Sequence, residues 1–118
     1  MEEFLLVIHR DFTSDNQVPT PEQMKEALKP YQEWIAGIAA SGNLVVPPKR
    51  WDLEGRVIRQ GAAGQRVTPG PYRKGKKSIG GLLLIKADDY DQAVKIAEGC
   101  PIIQYGTVVE LRKAVPSA

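Results

Sequence analysis

Ile79-Gly80-Gly81-Leu82-Leu83-Leu84-Ile85 is the most apolar stretch of the chain, and its reading decides the fold. Its residues are apolar at odd and even positions alike and the run is too short for a helix, so it predicts a strand buried on both faces. Phe4-Leu5-Leu6-Val7-Ile8 has the same character near the start of the chain. A helix signal follows each run. After the first, Thr20-Pro21-Glu22-Gln23 supplies an N-cap, a proline at the first helical position and a glutamine placed to complete a capping box. Met24, Ala27, Leu28, Tyr31, Ile35, Ile38 and Ala39 then recur at three- and four-residue steps as one apolar stripe, and Gly42 closes the helix. Pro30 is expected to kink or divide it. After the second run, Asp88 is read as the N-cap of a helix that buries Tyr90, Ala93, Val94 and Ala97 and ends at Gly99 and Pro101.

Shorter segments fill the rest. Leu44-Val45-Val46 reads as a strand ended by Pro47-Pro48, and Gly106 to Arg112 as the last strand. Arg56-Val57-Ile58-Arg59 and Gln65-Arg66-Val67, flanking Gly61-Ala62-Ala63-Gly64, predict a peripheral hairpin. The order strand, helix, strand, hairpin, strand, helix, strand is that of an α+β, ferredoxin-like split βαβ domain, expected over residues 1–113 with 114–118 as a tail. In that fold both helices cover one sheet face, yet the two central strands are apolar on both. A second copy of the chain is the economical cover for the other face, which predicts a homodimer forming a dimeric α+β barrel.

A chain of 118 residues, 42% hydrophobic, supports one core. No window approaches the roughly 18 consecutive apolar residues of a membrane span, and Met1-Glu2-Glu3 is acidic where a secretory signal is basic. A cytoplasmic protein without membrane contact is expected. Cys100 is the single cysteine and His9 the single histidine, so neither a disulfide, a metal site nor a cofactor is expected. The formal charge of +2 hides a division along the chain. Lys49 to Lys77 carries nine cations against two anions, a net of +7, while the rest carries seven cations and twelve anions, a net of −5. Such a middle segment can attract anions, or simply neutralise the remainder on folding.

Glu3-Phe4-Leu5-Leu6-Val7-Ile8, the Thr20-Pro21-Glu22 start leading to Trp34-Ile35, and Val67 to Gly81 followed by Ala87-Asp88-Asp89-Tyr90-Asp91-Gln92-Ala93 together resemble the YCII-related family in its DGPF branch. The resemblance spans nearly the whole chain and implies a ferredoxin-like dimer of unsettled biochemical function. It implies either an enzyme, from a His and an Asp in the YCII branch, or a link to transcription, from the fusion of some DGPF members to sigma factors. The chain departs from the pattern at the motif itself. Pro69-Gly70-Pro71-Tyr72 replaces Asp-Gly-Pro-Phe, and Lys74 and Lys77 stand where acids are usual. The YCII branch's histidine would fall in the first helix, which has none, and its aspartate where this chain has Cys100. Neither family acid–base residue carries over.

The candidate site residues are therefore read on their own chemistry. His9 is the one side chain whose ordinary pKa suits proton transfer near neutrality, and Asp11, two residues on, is its candidate orienting carboxylate; the alternative is an imidazole at a strand end. Trp51 and Tyr72 can line a cleft, and Arg73, Lys74, Lys76 and Lys77 can hold a carboxylate or phosphate. Gly70 to Lys77 comes near a nucleotide-binding loop, but Lys77 stands where Ser or Thr would bind magnesium and a strand follows in place of a helix. Trp34 is read as core and Cys100 as inert packing at a helix C-terminus. The leading expectation is a non-catalytic homodimeric module that binds an anionic small molecule or a protein partner through the basic loop. The alternatives are a small-metabolite enzyme using His9 as acid/base, and weak nucleic-acid binding, ranked last because the remainder of the chain is acidic.

Overall fold

The computed structural model describes residues 1–13, 16–52 and 54–116. In chain order the elements are β1 (Glu2–Thr13), β2 (Asn16–Val18), α1 (Pro21–Ala40), β3 (Leu44–Arg50), β4 (Arg56–Gly61), β5 (Gly64–Pro69), β6 (Lys77–Ala87), α2 (Tyr90–Glu98) and β7 (Val108–Lys113). A five-stranded antiparallel sheet has β1 at its centre. β6 pairs one side of β1 and β3 lies outside β6; β7 pairs the other side along Phe4–His9, and β2 pairs it farther along, at Asp11–Thr13. The order β7-β1-β6-β3 is compatible with the ferredoxin-like arrangement. β4 and β5 form a separate two-stranded sheet.

The helices cover one face. Phe4, Leu6 and Ile8 of β1 and Leu83, Ile85 and Ala87 of β6 meet Ala27 and Ile38 of α1, Ala93 and Ala97 of α2, and Cys100 and Ile102 beyond it. Met24, Tyr31, Trp34 and Ile35 pack around this core, and the Tyr90 ring stands edge-on to Phe4 with centroids 4.9 Å apart. Leu28 and Ala39, expected in the stripe, are exposed instead, because Trp34 takes the place beside Ile35. Tyr90 and Val94 also lie half outside the core.

The ends of α1 are set locally. Thr20 Oγ1 accepts from the Gln23 amide at 3.1 Å and the Thr20 amide donates back to Gln23 Oε1 at 2.9 Å, the reciprocal capping box. At the other end Gly42 takes φ +79°, its amide donating to Ala39 O and that of Asn43 to Ile38 O. That pair of bonds is a Schellman motif, and it needs a residue tolerant of positive φ. Asn43 then ties the helix end to β6, its side-chain amide donating to Lys86 O at 2.7 Å and its carbonyl accepting from the Lys86 amide at 2.8 Å.

Three boundary expectations are corrected. Of the two outcomes expected at Pro30, division does not occur: α1 runs from Pro21 to Ala40 through Pro30, which is exposed, so the carbonyl left without its helical donor can be met by water. β3 continues through Pro47-Pro48 to Arg50, with register shifts on both sides of Val46; as an edge strand it can spare the missing donors. The N-cap of α2 is Asp89, whose Oδ1 accepts from the Gln92 amide at 2.9 Å, one residue later than expected.

Among the described residues no helix lies on the opposite sheet face. The register places Leu5 beside Leu84, Val7 beside Leu82 and His9 beside Ile79, with Val46 next to Leu84 and Val108 next to His9. Val7 is buried by its neighbours, Leu5, Leu82 and Leu84 are half-buried, and Ile79, Val108 and Val46 are exposed. Along β7 this apolar surface is bordered by Glu110 beside Val7 and Arg112 beside Leu5, and it ends at His9.

Candidate functional site

Two pairings put His9 where it is. Against β6, Ile8 faces Gly81 but His9 faces Ile79, so Gly80 is a one-residue bulge, a device that re-aims side chains next to it. Against β7, His9 faces Val108 and Val7 faces Glu110, which brings Glu110 diagonally next to His9 on the open face. His9 Nε2 and Glu110 Oε1 are 3.0 Å apart, with side-chain exposures of 28% and 42%. Arg112 Nη1 lies 3.6 Å from the other carboxylate oxygen. The hydrogen bond from His9 is the main reason the Glu110 carboxyl titrates below its ordinary range. The Glu110 carboxylate at this distance fixes the orientation of the imidazole ring.

A carboxylate at hydrogen-bond distance from His9 is that of Glu110, 101 residues away in the sequence. Asp11 stands two residues on in β1, paired in register with Lys77. The Lys77 ammonium donates to Gly106 O at 3.2 Å, just ahead of β7, so its side chain reaches past β1 at the His9 end of the sheet. Lys74 and Lys77 exchange two backbone hydrogen bonds, of 2.9 and 3.1 Å, around Gly75-Lys76. This tight turn presents Arg73, Lys74 and Lys76 to solvent. Tyr72 is 69% exposed with Arg59 over its ring at 5.7 Å, and its carbonyl accepts from the buried Ser78 hydroxyl. Trp51, 49% exposed, follows the residue that pairs with Gly81.

All the candidate residues thus collect at one end of the sheet, but in two groups. His9, Glu110 and Lys77 share the open face, while Trp51, Tyr72, Arg73, Lys74 and Lys76 stand around its rim. Two depressions, of about 340 and 380 Å³, lie elsewhere: one at Glu2, Lys113 and Val115, the other between α2 and β7. Among the described residues no three His, Cys, Asp or Glu side chains cluster as metal ligands, and no helix is long and apolar enough to cross a membrane.

The two weighed core residues sit inside the helical layer. Trp34 donates through Nε1 to Ile96 O at 2.8 Å. Cys100 is 3% exposed, and burial pushes its thiol up, so it stays protonated. Glu110 was the residue missed from sequence. Its one local signal is a carboxylate interrupting the apolar run Val108-Val109-Glu110-Leu111.

These features define an α+β protein with two helices on one face of an antiparallel sheet and a histidine–carboxylate pair on the other. The chain matches the YCII-related domain over residues 4–114 and belongs to that family. Among proteins of curated function none matches it.

Proposed function

We propose that the protein is a homodimer that binds a small anionic molecule where its two open sheet faces meet, with His9 and Glu110 as the proton-transfer pair of that site. The observation carrying this reading is the 3.0 Å His9–Glu110 contact on the apolar face that no helix covers. A two-fold axis running along the strands, between two facing sheets, lays edge strand β3 of one copy beside edge strand β7 of the other and brings both His9 ends together. The result is a dimeric α+β barrel. Val7, Leu82 and Leu84 supply its apolar interior, and Lys77 with Arg73, Lys74 and Lys76 supplies the positive rim that attracts carboxylate or phosphate. The DGPF-branch likeness of residues 67–81 fits this placement, since the altered motif forms that rim.

His9 is the only histidine, so its imidazole resonances are unambiguous. Nitrogen-15 NMR during titration with inorganic phosphate, acetate and pyruvate is expected to shift them, and Lys77→Glu to abolish the response. Unmoved resonances with all three anions, together with unchanged thermal stability, would remove this reading. Where a converted substrate is found, His9→Gln is expected to cut kcat by about 10²–10⁴.

A further inference from the structure

The β4–β5 hairpin stands off the rest of the molecule. Among the described residues it pairs with no other strand, and its ends are joined where the Gly70 amide donates to Gly55 O at 2.9 Å. The radius of gyration, 16.1 Å, exceeds the roughly 13.5 Å of a compact chain of this length. An isolated two-stranded hairpin is marginal in water, and this one also sets Arg59 directly opposite Arg66, a repulsive cross-strand pair. Its two faces differ. Arg59 lies over the chain's own Tyr72, and Val57 and Thr68 on the same face are half-buried. The other face shows the paired Ile58 and Val67, 63% and 60% exposed, flanked by Arg56. Among the described residues no ion pair joins an arginine of this hairpin to a carboxylate.

A matching surface exists on the same chain, out of the hairpin's local neighbourhood. The 380 Å³ depression between α2 and β7 is walled by Tyr90, Val94, Ile103, Val109 and Leu111, with Glu98 as its one carboxylate. Tyr90, Val94 and Ile103 are 48%, 40% and 40% exposed. We propose that the β4–β5 hairpin is an exchanged arm whose Ile58–Val67 face docks in the α2–β7 groove of a second copy, with Arg56 meeting Glu98. The inference rests on the homodimer reading above and deepens it. Facing sheets place the end of β3, from which the arm departs, alongside the other copy's β7, which walls the groove. Charge complementarity commits the arm to a second copy, because the +7 middle segment and the −5 remainder of one chain are each other's natural partners.

Two differently tagged chains test it, both carrying Cys100→Ala, one with Ile58→Cys and the other with Val94→Cys. Mixed and oxidised, they are expected to give predominantly the mixed disulfide. Arg56→Glu is expected to weaken the dimer at least tenfold by sedimentation, and adding Glu98→Arg to restore it. A wild-type dimer that yields no mixed disulfide, or no rescue by the charge swap, overturns the arm placement and leaves the dimer standing. A wild type that sediments as a monomer overturns both.

Discussion

Glu110 and Tyr31 are pushed in opposite directions, and each leaves a mark on its own side of neutrality. Glu110 titrates low in the folded protein because His9 hydrogen-bonds its ionised form. The stability this supplies is present above the ordinary carboxylate pKa and is lost as pH falls through the folded value. Glu110→Gln is therefore expected to lower stability in the neutral region and to flatten the acid limb of a stability–pH curve measured by urea unfolding, the two curves converging at low pH. Burial, with a smaller push from Cys100, raises the Tyr31 phenol from 10.0 to about 12. Stability is whole below pH 10 and falls as pH rises from 10 towards 12, because only the unfolded chain sheds the proton in that window. Tyr31→Phe is expected to remove that loss, read as the difference between variant and wild type. Trp34 imposes a third constraint, since a Cβ on Gly99 would lie 2.9 Å from its ring. Gly99→Ala is expected to cost about 1–3 kcal/mol in denaturant unfolding. At this scale the sequence was half legible. His9 stands out as the only imidazole, but its carboxylate depends on which residues of β1 and β7 face each other, and strand register is set across the whole chain.

Elements were read best where their signals are local. The capping box of α1 lies within Thr20–Gln23 and its Schellman end within four residues of Gly42, so both were visible before any tertiary contact was considered. Thr20→Ala is expected to cost about 0.5–2 kcal/mol, measured by thermal or urea unfolding. Where elements were misjudged, a competing local rule lost to position in the fold. Pro47-Pro48 ends an interior strand, but β3 is an edge strand with solvent or a partner beyond it. Pro30 breaks a buried helix turn, but here it faces water in a helix held at both ends and packed through Ala27, Tyr31 and Trp34. The residue still lacks its donor, so Pro30→Ala is expected to raise stability, by up to about 3 kcal/mol less whatever restriction the ring places on the unfolded chain.

The molecule as a whole is a thin slab, 50 × 45 × 19 Å, one helical layer on one sheet. Its amphipathic balance is unusual for a lone chain. Leu5, Val7, Leu82 and Leu84 form a contiguous apolar centre on the uncovered face, whereas the sheet of a two-layer α+β domain ordinarily turns polar residues to water there. Both parities of Phe4–Ile8 and Ile79–Ile85 carried this information from the start, while the pairing of the two copies needs surfaces that a single sequence does not order. The charged groups border that centre without covering it: Glu110 and Arg112 flank it along β7 beside Val7 and Leu5, Lys77 lies towards its His9 end, and Glu3 and Lys86 lie at the other. A second copy can cover it, because a two-fold axis sets apolar centre on apolar centre. Leu84 sits in that centre, half-buried, with its neighbours Leu83 and Ile85 pointing into the helical core. Leu84→Lys puts an unpaired charge into the middle of the interface without touching the core beneath. It is expected to turn a sedimenting dimer into a monomer, while the unfolding free energy of the separated chain changes by less than about 1 kcal/mol. A dimer that survives the substitution intact would mean that the copies meet through some other surface.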